Sequence, residues 1–173
     1  MTSVGDADVT QLGHVSLVVL SWADLVLDSD NPRLEEGGGT TRESVNALID
    51  LEPDKMVNIA RDISESGMLS PFDLPGVVWE DEAYVVVEGN RRVAALKMLK
   101  APDLIDDNRI RRRIEGIATN GTGPEDVACS LFADRESASR WIELRPVVRA
   151  RSRRGWGVRR RRLGVARRCA RSR

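Results

Sequence analysis

A chain of 173 residues, 41% hydrophobic and 31% charged, has the length to bury one core and the composition of one folded domain. Its zero net charge hides an asymmetry: residues 146–173 carry 12 of the 27 basic residues and no acid, so the rest of the chain sets 15 basic residues against 27 acidic ones, a net charge of −12. So acidic a body makes a poor general DNA-binding surface, and one histidine (His14) with two widely spaced cysteines (Cys129 and Cys169) argues against the usual zinc site and a Ser-His-Asp triad.

The N-terminus lacks the basic and apolar regions of a signal peptide. No apolar run approaches the roughly 20 residues of a membrane helix, and the cytoplasm is the default location. Residues 1–14 read as a loose polar leader, and residues 15–20, apolar and β-branched, as a first strand. Trp22, Leu25 and Leu27 follow with acids between them, up to a turn at Asn31-Pro32-Arg33. Residues 35–39 form a flexible connector. Thr40 and Glu43 have capping-box spacing and lead into a short amphipathic helix carrying Val45, Leu48 and Ile49.

Pro53 suits the first turn of the next helix. Met56, Ile59, Ala60 and Ile63 recur at the spacing that places them on one face, and Gly67 fits the position that ends it. Residues 72–79 read as a strand interrupted by Pro75-Gly76, an edge or a bulge. An acidic turn, Glu80-Asp81-Glu82, then pairs it as a hairpin with the strand that begins at Tyr84.

The chain is organised around residues 84–99. Val85, Val86 and Val87 make a buried strand, Gly89 permits a tight turn, and Val93, Ala94, Ala95, Leu96, Met98 and Leu99 continue as a helix. Gly89, Asn90, Arg91 and Arg92 therefore sit where a strand hands over to a helix N-terminus. Unpaired N–H groups and the dipole favour an anion there, most simply a phosphate. The plain alternative is a pair of solvated surface arginines. Beyond Ala101-Pro102, residues 108–119 form a basic-faced helix with Arg109, Arg111, Arg112 and Arg113, read as a solvated face or a patch for backbone phosphates. Residues 127–132 form a further buried strand in which Cys129 is a core thiol. Asp134 caps a last helix whose Ala138, Trp141 and Ile142 share a face.

Glu88-Gly89-Asn90-Arg91-Arg92-x-x-Ala95 resembles the Gly-Glu-Arg-Arg-x-x-Ala box of the ParB/sulfiredoxin superfamily. Asn31-Pro32-Arg33 after the first strand, the Gly67-Met-Leu-Ser-Pro71 turn before the second, and the closing strand and helix resemble that domain type too, over about residues 15–145. The resemblance implies an α+β fold with a compact mixed β-sheet and packed helices. It also implies a nucleoside triphosphate, CTP or ATP, with magnesium, bound by Gly67, Pro71, Gly89, Asn90, Arg91 and Arg92.

Asn90 stands where the family has a variable acid or cysteine. Sulfiredoxin's phosphate-transfer nucleophile is thus missing, and magnesium coordination falls to Glu88, two residues earlier. Asn108 and Arg109 are the nearest match to the family's third phosphate motif. No helix-turn-helix module is expected after Arg145. The implied role is a ParB-like nucleotide-binding module acting with DNA or DNA-processing partners. The alternatives are a metal-dependent nuclease or nucleotide hydrolase in which Glu88 is catalytic, and a non-catalytic interaction module in which the arginines only bridge acids. The arginine-rich tail, residues 146–173, reads as a disordered arm for nucleic acid or as a slipped reading frame in a GC-rich gene. The second is preferred because no periodicity survives there.

Overall fold

The β-branched runs of the sequence become strands of one mixed sheet. The structure, a computed structural model, describes residues 10–12, 15–30 and 39–144. Among them are β1 (Thr10–Leu12), β2 (Val15–Ser21), β3 (Leu25–Leu27), β4 (Gly76–Glu80), β5 (Ala83–Glu88) and β6 (Asp126–Phe132), in the spatial order β1-β2-β6-β4-β5-β3. The β4–β5 hairpin is antiparallel, as are β1–β2 and β2–β6, while β3–β5 and β4–β6 run parallel. The expected α+β class with a mixed sheet is what the chain adopts.

Five helices accompany the sheet among the described residues: α1 (Thr41–Leu51), α2 (Pro53–Ser66), α3 (Asn90–Lys100), α4 (Asn108–Ala118) and α5 (Arg135–Leu144). Their ends follow the chemistry of their caps. Thr40 accepts the Glu43 N–H through its hydroxyl, Pro53 sits in the first turn of α2, and Gly67 closes that helix in the left-handed conformation. Asp107 accepts the N–H groups of Arg109 and Ile110 ahead of α4, and Asp134 accepts that of Ser137 ahead of α5.

Strand alternation divides the sheet into two unlike faces. Val18, Leu20, Leu25, Leu27, Val77, Val86, Val127 and Cys129 point to one side and form a single core with α1 to α4. α3 is the centre of that core, with Val93, Ala94, Ala95, Leu96, Met98 and Leu99 all buried. A helix apolar on all sides belongs inside. Burying each large side chain of this kind stabilises by about 1.5–3 kcal/mol. Lys97, like Asn90, is a buried polar residue of α3: its ammonium donates to the Trp22 carbonyl at 3.1 Å and lies 5.3 Å from that indole's centre, and burial pushes its pKa down.

The opposite face carries Val19, Val26, Val78, Val85 and Val87. α5 is the one described helix that contacts the sheet here, against β4, β5 and β6. Of its ten residues, Ala138 alone is buried; Ile142 is half-buried and Trp141 is 57% exposed, so the shared face expected for these three is only partly used.

Three boundaries differ from the sequence reading. The leader expected to be loose over residues 1–14 contains β1, a three-residue edge strand too short to leave a periodic signal. β3 was likewise hidden among acids. The strand expected over residues 72–79 begins only at Gly76, because Pro71 and Pro75 fix their φ angles and lack N–H groups, leaving turns instead. A register irregularity lies beside Pro75, between Gly76 and Val77, and the Pro75 carbonyl still accepts the Ser130 N–H at 2.8 Å. Asn31-Pro32-Arg33, most of the connector over residues 35–39, and the tail lie outside the described residues.

Candidate functional site

The junction between β5 and α3 forms as its residue types dictate. Gly89 has φ +93°, and a Cβ there would approach the Pro75 Cα to 3.3 Å and the Arg92 guanidinium to 3.2 Å. Only glycine meets both demands cheaply. The Gly89 carbonyl receives the N–H groups of Arg92 at 2.9 Å and Val93 at 3.1 Å. The N–H groups of Asn90 and Arg91 lie outside the helix's own ladder, at the positive end of its dipole.

The two arginines are steered by carboxylates. Arg91 donates to Glu52, which caps the junction between α1 and α2 and also receives Lys55 at 3.1 Å. Lys55 first and Arg91 second hold the Glu52 carboxyl below its ordinary pKa. Arg92, its side chain 19% exposed, pairs with Asp73 at 3.3 Å. Asn90 is buried, and its amide is engaged on both sides: its oxygen accepts the Asp28 N–H at 3.0 Å and its nitrogen donates to the Val86 carbonyl at 2.7 Å.

No local sequence pattern marks the ion-pair cluster around Arg135. Asp28, just past β3, is buried and receives the Arg135 guanidinium through two bonds of 3.0 Å. A third bond runs from Arg135 Nε to Glu80 at 2.8 Å. Asp28 first and Glu80 second drive the Arg135 pKa upward against the opposing effect of burial. Fork-to-fork pairing of this kind is strong and geometrically exact in a way that a lysine could not reproduce. Its partners lie 107 and 55 residues away in sequence, so no local pattern could announce it.

Asp28, Asn90, Arg91, Arg92 and Arg135 line one cleft of about 470 Å³ at the end of the sheet where β5 passes into α3, with α5 on one side and Lys55 and Ile59 of α2 on the other. Lys55, Arg91, Arg92 and Arg135 contribute positive charge to its wall, and Asp28, Asp30, Glu88 and Glu143 negative charge. Glu88, Gly89, Asn90, Arg91 and Arg92, contiguous in the chain, all border this cleft. Gly67 and Pro71 are not among the lining residues; their turn approaches through Asp73, the partner of Arg92. Asn108 and Arg109 open α4 on the other side of the sheet, and Arg109 is largely exposed, pairing with Asp107 at 3.6 Å. Among the described residues no three His, Cys, Asp or Glu side chains converge to hold a metal ion, and no helix is long and apolar enough to cross a membrane.

No family model, curated protein or solved structure matches this chain.

Proposed function

We propose that the protein is a phosphate-recognising nucleotide-binding module of the ParB-like kind. The observation that carries the reading is the convergence of Lys55, Arg91, Arg92 and Arg135 on one cleft at a glycine-opened helix N-terminus. Its volume suits a small organic anion. A triphosphate would replace carboxylates as the partner of the arginines, and the N–H groups of Asn90 and Arg91 would add the helix-terminus contribution. Magnesium fits only as a shared ion: it takes one or two carboxylates together with phosphate oxygens, and Glu88 is the cleft residue best placed in the chain to supply one. Since the body before residue 146 has a net charge of −12, action with DNA would run through partner proteins.

One observation favours a second reading, the non-catalytic interaction module. Arg91 already pairs with Glu52, and Arg92 with Asp73. Calorimetry with CTP, ATP and GTP in the presence of magnesium separates the two. Arg91→Ala or Arg92→Ala should weaken binding about 10- to 100-fold, from the loss of roughly 1.5–3 kcal/mol in a charge-assisted contact. Arg112→Ala, on the exposed face of α4, should bind like the parent. A parent that takes up no triphosphate leaves the arginines with a structural role alone.

A further inference from the structure

We propose that α5 is a gate across the second face of the sheet: Arg135 holds it shut, and it opens about Asp134 to join the cavities on its two sides into one groove. The first cavity is the cleft already described, to which α5 contributes Arg135, Ser139, Ile142 and Glu143. A second, of about 560 Å³, lies along the other flank of the same helix, between Trp141, Ile142 and Leu144 and the sheet residues Val15, Ser130 and Phe132. Val87, Glu88 and Ile142 border both. The helix is therefore a narrow partition with open space on each side.

Its attachment is correspondingly slight. Eight of the eleven residues of α3 are buried, against one of the ten in α5. Protein interiors pack densely, and a helix bounded by two cavities forgoes most of that cohesion. Among the described residues, the side-chain hydrogen bonds that tie α5 to the sheet are concentrated at its first residue, where Arg135 reaches Asp28 and Glu80. The preceding residue, Asp134, caps the helix through Ser137 and is exposed, which places a pivot beside the latch. Segments that move to admit ligands are drawn from such weakly held elements. The inference does not depend on what occupies the cleft, since the latch and the two cavities belong to the chain alone.

Thiol labelling tests it. In a Cys169→Ser background, Ala138→Cys places a thiol under α5, while Cys129 in the main core reports global unfolding. Under native conditions the thiol introduced at 138 should react with a maleimide at least about tenfold faster than Cys129, and adding Arg135→Gln should accelerate it about tenfold more without changing Cys129. Equal rates at the two thiols, or equal acceleration of both, would overturn the proposal. Should Ala138→Cys not fold, amide exchange of the otherwise unaltered chain serves. A released ten-residue helix does not hold itself together, so amides of residues 135–144 should exchange faster than those of residues 90–100, and faster still in Arg135→Gln. Matching protection in the two helices would count against the gate.

Discussion

Asn90 joins the end of β3 to β5 by accepting the Asp28 N–H at 3.0 Å while donating to the Val86 carbonyl at 2.7 Å. One buried amide thus fixes the loop that carries Gly89 and both arginines. It positions the two arginines of the cleft, with its own polar atoms already committed to backbone. Asn90→Ala should leave two backbone groups unsatisfied, at about 1–3 kcal/mol each. Asn90→Asp keeps the acceptor, loses the donor and sets a second carboxylate beside Asp28. Both variants should unfold at lower urea concentration than the parent. Asn90→Ala unfolding at the parental midpoint would show that the clamp contributes nothing.

The hairpin between β4 and β5 turns through Asp81 at φ +48° and Glu82 at φ +62°. Two successive left-handed residues match the primed turns that suit the twist of a hairpin, where glycine and asparagine are favoured. Glu82→Gly should relieve strain and stabilise by about 0.5–1 kcal/mol, with a melting temperature raised by about 2–4 °C per kcal/mol. Calorimetric melting decides it, and a lower transition would refute the strain argument.

Cys129 lies wholly inside the core, and burial pushes its thiol pKa up to about 12. Only the thiolate reacts readily. At pH 8 the native protein should therefore leave Cys129 unlabelled until denaturant unfolds it, and Cys129→Ala should leave the proposed nucleotide binding unchanged. Rapid native labelling, or loss of binding with the fold intact, would restore a thiol to the mechanism.

Acid should weaken the junction of α1 and α2. Glu52 has its pKa lowered by Lys55 and then Arg91. A carboxyl with a depressed folded pKa contributes stability that is present above its unfolded pKa, about 4.3, and is lost as pH falls through the folded value. Glu52→Gln should thus flatten part of the decline in urea midpoint between about pH 5 and pH 3, modestly because the side chain is exposed to screening solvent. An unchanged acid profile would mean that these pairs do not survive in solution.

The strand, glycine and helix at residues 83–100 were legible because each step follows local chemistry: a valine run, a residue that tolerates positive φ, then an apolar helix. The caps at Thr40, Gly67 and Asp134 were legible for the same reason. β1 and β3 were not, since three residues carry no period. The cleft was half legible. Glu88 to Arg92 are contiguous, whereas Asp28, Lys55 and Arg135 meet them only through tertiary pairing. Asn90 lines the cleft beside the arginines, while the hydrogen bonds of its amide to Val86 and Asp28 are a property of the assembled sheet.

The pairing of β2 with β6, from Val15 opposite Phe132 to Ser21 opposite Asp126, has a consequence for synthesis. Residues 15–21 must wait for a partner made more than a hundred residues later. At ribosomal rates of about 5–20 residues per second, that delay is roughly 5–20 s. Throughout it the nascent chain presents the unpaired edge of Val15–Ser21, an invitation to wrong pairing. Closing so long a loop also makes folding slow relative to a chain of local contacts. Among the described strands, the last to emerge is the one that joins β2 to β4 and completes the sheet.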